Sequence, residues 1–124
     1  MEIKKNHPVP IYQQIIYSIT EDINYGVLKG GDQLPSVRSL SSECDINPNT
    51  VLKAYEQLIK EGYVEARKGK GYYVSSNVKE NVAEYHLKYI RQSLKLIKAS
   101  AKIGDISLKT VCNLMNEIWR EDNK

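Results

Sequence analysis

Apolar residues recur at helical intervals from the start of the chain. Over residues 10–27, Ile11, Ile15, Ile16, Ile19, Ile23 and Val27 fall at spacings that predict an amphipathic helix, with Pro10 suited to its first turn. That helix should end near Gly26, and Lys29-Gly30-Gly31-Asp32 has the composition of a turn. After Gln33-Leu34-Pro35, Ser36 is placed to cap a short helix from Val37 to Cys44, whose inward stripe is Val37, Leu40 and Cys44. Asp45-Ile46 makes a brief connection. Asn47 is a good N-cap and Pro48 a good first helical residue, so a third helix is expected from there to Gly62, which suits a left-handed C-terminal cap. Two helices across so short a turn have the form of a helix-turn-helix.

The period then changes. Residues 63–67 and 72–75 are β-prone runs flanking Lys68-Gly69-Lys70-Gly71, which signals a hairpin, and its place directly after the third helix makes it a wing. Helical spacing returns over residues 78–102, where Ala83, Leu87, Ile90, Leu94, Ile97 and Ala101 alternate steps of four and three in a coiled-coil-type seam. Gly104-Asp105 interrupts it. Ser107 can cap a last helix, to which Leu108, Val111, Cys112, Met115, Ile118 and Trp119 give a broad apolar face. Two helices cannot bury both faces alone, so a second copy of the chain is expected to cover them, with Leu87, Ile90, Leu94, Ile97, Met115, Ile118 and Trp119 as dimerisation residues. The expected fold is mainly α with a small β-hairpin wing: a winged helix-turn-helix domain over residues 8–77 followed by a two-helix dimerisation tail over residues 78–124.

Composition bounds the function. A chain of 124 residues, 41% apolar and 27% charged, is an ordinary globular protein with no room for a large catalytic fold. No apolar run is long enough to span a membrane, and no apolar segment follows Lys4-Lys5, so the chain is expected in the cytoplasm. Cys44 and Cys112 lack metal or redox spacing and are expected to be small buried residues. His7 and His86 stand alone, so no metal or cofactor is expected. With no nucleophile and base pairing and no carboxylate pair, an enzyme is set aside.

Charge sharpens the question of a partner. The net charge is +3, but residues 1–77 hold nine Lys/Arg and nine Asp/Glu, while residues 78–124 hold nine against six. Any nucleic-acid reading must therefore rest on placement rather than total. On the third helix Val51, Ala54, Tyr55 and Leu58 share one side, and Asn49, Lys53, Glu56, Gln57 and Lys60 share the other. The polar side is either a solvated face or a major-groove reader, in which Asn49, Thr50 and Lys53 near the N-terminus reach furthest. The wing sets Arg67, Lys68 and Lys70 around glycines. Gly69 permits a tight turn and close approach to a phosphate or minor groove, although a charged tip for solubility would look the same. Arg38, on the first turn of the second helix, is either a DNA-backbone contact or an exposed ion-pairing residue. Lys88, Arg91, Lys95, Lys98 and Lys102 run beside the tail seam and are read as a solvated flank. A groove between the tail helices near Tyr89 and Trp119 is a place for a small molecule, but nothing identifies an effector. The alternative to operator binding is a winged-helix module that meets a protein partner.

The segments PIYQQI, GDQLPSVRSLSSE and NPNTVLKAYEQLIKEGYVEARKGKGYYV together resemble the N-terminal winged helix-turn-helix domain of the GntR family of transcription regulators, over about residues 8–75. The short helical tail resembles that of the YtrA-type subgroup. The resemblance implies that Arg38, Asn49, Thr50 and Lys53 meet a double-stranded DNA operator, with Lys68, Gly69 and Lys70 as the wing contact. It also implies a tail that dimerises, and regulation of neighbouring transporter genes. Family members often carry Arg near the start of the recognition helix, where this chain has Pro48 or Asn49, so base preference does not transfer. Larger relatives carry effector-binding or aminotransferase-like domains for which 124 residues leave no room.

Overall fold

The computed structural model describes residues 1–121. Among these the chain forms α1 (Ile11–Asn24), α2 (Val37–Cys44), α3 (Pro48–Lys60), β1 (Val64–Arg67), β2 (Gly71–Val74), α4 (Val78–Ile103) and α5 (Leu108–Glu121). The fold is mainly α with a two-stranded antiparallel wing. It divides into two compact units, Met1–His86 and Leu87–Lys124, so the first turns of α4 belong with the wing; the last three residues of the second lie outside the described residues.

Local chemistry accounts for the helix ends. The Ser36 hydroxyl accepts from the Ser39 N–H at 3.0 Å and starts α2, while the Asn47 side chain accepts from the Asn49 N–H at 2.8 Å and, with Pro48 at the first position, starts α3. At the far end of α3, Tyr63 N–H donates to Leu58 O and Gly62 N–H to Ile59 O, with Gly62 at φ 90°. This paired closure needs a left-handed residue, and glycine takes it without a Cβ clash. The end of α2 closes in the same way, Ile46 N–H donating to Ser41 O, but here the left-handed residue is Asp45 at φ 52°.

The first helix differs from its expected span. Pro10 lies outside it as the capping residue, at ψ 148°, and Val27 lies beyond its end, 68% exposed. The spacing from Ile23 to Val27 continues the helical interval, but the chain leaves the helix at Tyr25 and Gly26 turns it away with a positive φ.

The core sits where three helices and the sheet meet. Ile15, Ile16 and Ile19 of α1, Leu40 of α2 and Val51, Ala54, Tyr55 and Leu58 of α3 bury together with Leu34, Val64 and Val74. α3 packs against both α1 and α2. Tyr55 is fully buried, and its hydroxyl donates to the Pro35 carbonyl at 2.7 Å, which ties α3 to the segment that leads into α2. Tyr72 meets it edge-on, with ring centroids 4.9 Å apart. Burial, and then the nearby Tyr72 and Cys44, push the Tyr55 phenol well above its ordinary range.

In the second unit the Ser107 hydroxyl accepts from the Thr110 N–H and starts α5. Neither α4 nor α5 has a buried residue. Cys112, expected to be buried, is exposed, because it belongs to the apolar face of α5 that one chain leaves uncovered; Cys44 is half-buried at the end of α2.

Candidate nucleic-acid interface

The apolar side of α3 is wholly inside, so its polar side is turned outward by construction. Val51, Ala54, Tyr55 and Leu58 are each fully buried, while Asn49 and Lys53 are exposed and Thr50 is half-buried. The Asn49 backbone N–H is taken by the Asn47 cap, and its side-chain amide has no partner among the described residues. A free carboxamide near a helix N-terminus can offer the donor and acceptor pair that an adenine edge accepts. Arg38 is exposed on the first turn of α2 and makes no ion pair among the described residues; its backbone carbonyl accepts from the Ser41 hydroxyl. Gln57, on the same polar side of α3, is committed instead to Glu61 at 3.0 Å.

Lys53 is not a loose cation. Its ammonium lies 3.9 Å from the centroid of the Tyr12 ring on α1, within the range of a cation–π contact.

The wing is braced by its own turn and by the segment before α2. Val64 pairs with Val74 and Arg67 with Gly71, so the loop is Lys68-Gly69-Lys70, with Gly69 at φ 73°. Lys70 N–H donates to the Arg67 carbonyl and closes the turn. The Lys70 carbonyl in turn accepts from the Gln33 amide at 3.1 Å and from the Tyr73 hydroxyl at 3.3 Å. Leu34 N–H donates to the Tyr72 carbonyl, so the segment before α2 runs against β2. Lys68 and Lys70 are left exposed at the tip. Arg67 turns back onto the hairpin: its guanidinium lies 4.0 Å from the Tyr73 ring centroid and pairs with Glu65 at 3.5 Å. The wing cations thus separate into two exposed lysines and one half-buried arginine engaged in the wing itself.

Three residues that the sequence did not single out contribute here: Tyr12, Gln33 and Tyr73. Tyr12 follows Ile11 on a helix whose pattern speaks only of core, Gln33 lies in a turn, and Tyr73 sits in a β-prone run. No spacing or composition marks them, because each acts on a residue distant in sequence or on a backbone carbonyl.

The tail presents the apolar seam openly. Exposure runs from 40% at Ile97 to 72% at Trp119, with Leu87, Ile90, Leu94, Met115 and Ile118 between. A groove of about 450 Å³ lies between α4 and α5, lined chiefly by Leu94, Ile97, Ala101, Ile106, Leu108 and Val111. Tyr89 and Trp119, expected beside such a groove, do not line it. Among the described residues no group of three metal-binding side chains gathers, and no helix is long and apolar enough to cross a membrane.

The model of the gntR family of bacterial regulatory proteins matches residues 11–74. The HTH-type transcriptional repressor YtrA of Bacillus subtilis (strain 168) is 37% identical over 118 residues, 95% of this chain and 91% of that protein. The Exu regulon transcriptional regulator of Escherichia coli (strain K12) is 42% identical over 77 residues, 62% of this chain but 29% of its own length. Among solved structures, YtrA from Sulfolobus acidocaldarius, a GntR-family transcription factor, is 34% identical with a TM-score of 0.61, covering 100% of both chains.

Proposed function

The chain belongs to the GntR family of bacterial regulatory proteins and is a transcription regulator with a winged-helix DNA-binding domain, and we propose that it is a repressor that binds an inverted-repeat operator as a homodimer. In this reading residues 8–77 bind DNA and residues 78–124 dimerise. Arg38, Lys68 and Lys70 contact phosphates, Gly69 lets the wing approach the duplex, and Asn49, Thr50 and Lys53 read bases. Arg67, engaged with Tyr73 and Glu65, supports the wing that carries these contacts. The two half-sites lie about one helical turn of DNA apart, or slightly more. The similarity to the YtrA-type subgroup supports a neighbouring transporter operon as the target.

The observation that carries the proposal is the outer face of α3. Val51, Ala54, Tyr55 and Leu58 are fully buried, while the Asn49 side chain on the same helix and the Arg38 side chain on α2 are exposed, with no side-chain partner among the described residues. Buried anchoring and unspent donors are what a groove-reading helix requires. The uncovered tail seam supports the dimer.

The test is fluorescence anisotropy with duplex DNA from upstream of the protein's own gene against random duplex, at several salt concentrations, with sedimentation to fix stoichiometry. Specific binding should exceed non-specific by about 10³-fold or more, with two chains per site. Equal affinity for both duplexes would overturn the operator reading, and a monomer at micromolar concentration would overturn the dimer.

A further inference from the structure

Building on the operator reading above, we infer that Tyr12 is a positioning residue for base recognition by Lys53. The two residues are far apart in sequence and on different helices. α1 and α3 pack together, and the Tyr12 ring is half-buried among residues that rest on the core, so the ring is a fixed platform. Lys53 is exposed, and without a contact its four-carbon stem would sample many rotamers. The 3.9 Å approach to the ring centroid selects those that lay the ammonium over the ring face. Lys53 makes no ion pair among the described residues, so the ring is what restrains it.

An ammonium seated on a ring keeps N–H donors pointing away from that ring. Held in place, it presents them to one position in the groove instead of wandering between neighbouring phosphates and bases. A lysine donor favours the paired acceptors of guanine, and that preference is worth more when the donor loses little freedom on binding. Tyr12 therefore sharpens discrimination at a single base pair without touching that base.

The substitutions separate the ring face from its hydroxyl and its bulk. Tyr12→Phe keeps the ring face, and Tyr12→Leu keeps apolar packing without it. Anisotropy with the operator and its single-base variants should show Tyr12→Phe within about twofold of the wild type. Tyr12→Leu should lose about two- to fivefold in discrimination, the scale of an exposed cation–π contact, and only at the base pair that Lys53→Ala relaxes. In a Lys53→Ala background Tyr12→Leu should change nothing further. Independently of DNA, the Lys53 ε-methylene protons of the free protein should show a ring-current upfield shift that Tyr12→Leu abolishes. Loss spread evenly over all base pairs, the same loss without Lys53, a gain in discrimination, or no ring-current shift would each overturn the inference. A wild type with the ring-current shift but no operator preference would remove the operator reading, and this role with it.

Discussion

Gly62 joins α3 to the wing, and an added methyl group there should do more damage than the loss of a turn glycine usually does. A Cβ built on Gly62 would stand 2.7 Å from the carbonyl carbon of Asn81, 2.8 Å from its oxygen and 2.9 Å from its Cβ. These are mostly backbone atoms of α4, so no side-chain rotation relieves the contact. Gly62 also sits at φ 90°, where an L side chain is strained. The left-handed conformation costs a non-glycine residue about 1–2 kcal/mol, and forcing a methyl group into a closed contact costs about 1–3 kcal/mol. Gly62→Ala should therefore lose about 2–5 kcal/mol from a total stability of about 5–15 kcal/mol. Gly69 provides the control, since it has a similar φ of 73° with nothing within 4 Å of an added Cβ. Gly69→Ala should lose only the conformational part. At about 4–8 °C per kcal/mol for a domain of this size, thermal melts followed by circular dichroism should place Gly62→Ala at least about 5 °C below Gly69→Ala. Equal midpoints would refute the reasoning, because the clash with α4 would then carry no energy.

Other outcomes follow from the same geometry. Asp45→Gly should raise the melting temperature by about 2–8 °C, the equivalent of roughly 0.5–1 kcal/mol: it relieves a left-handed cost of about 1–2 kcal/mol at φ 52°, gives back about 0.5–1 kcal/mol to glycine's greater backbone freedom, and loses only an exposed pair with Lys5. For Tyr55 the folded state holds the phenol proton more tightly than the unfolded chain, whose phenol titrates near 10.0. Its contribution is present below that pH and is lost above it, with a slope approaching about 1.4 kcal/mol per pH unit. Urea titrations between pH 9 and about 11.5 should show this fall, reduced in Tyr55→Phe to what Tyr63, also held up by burial, leaves behind. Lys70→Ala should weaken binding to operator and random DNA alike and reduce the slope of log K against log salt by about 0.9. Lys53→Ala should instead alter base preference, at about 1–3 kcal/mol for the position concerned; unchanged affinities on both duplexes would remove its assignment.

What was legible in the sequence was whatever depends on period and on local capping. The five helices, the wing and the inward faces follow from spacing, and Ser36, Asn47-Pro48, Gly62 and Ser107 mark ends that the structure places within a residue or two. Where periodicity misled, at Val27, an interval of four ran on past a glycine that had already turned the chain. The candidate site was legible only as faces. A helical wheel states which residues point outward, but it does not say whether an outward cation is already occupied, since that depends on a neighbour brought in by tertiary packing. Arg67 and Lys68 are adjacent cations of the same wing, yet one is spent on Tyr73 and Glu65 and the other is exposed. Lys53 and Asn49 look equivalent on the wheel, yet only Lys53 is tethered, by a ring from α1. In a winged unit whose charges balance over residues 1–77, attraction to a polyanion depends on which cations remain unspent. Among the proposed contacts, Arg38, Lys68 and Lys70 are exposed cations with no ion pair among the described residues, while Lys53, in the proposed reading, supplies direction.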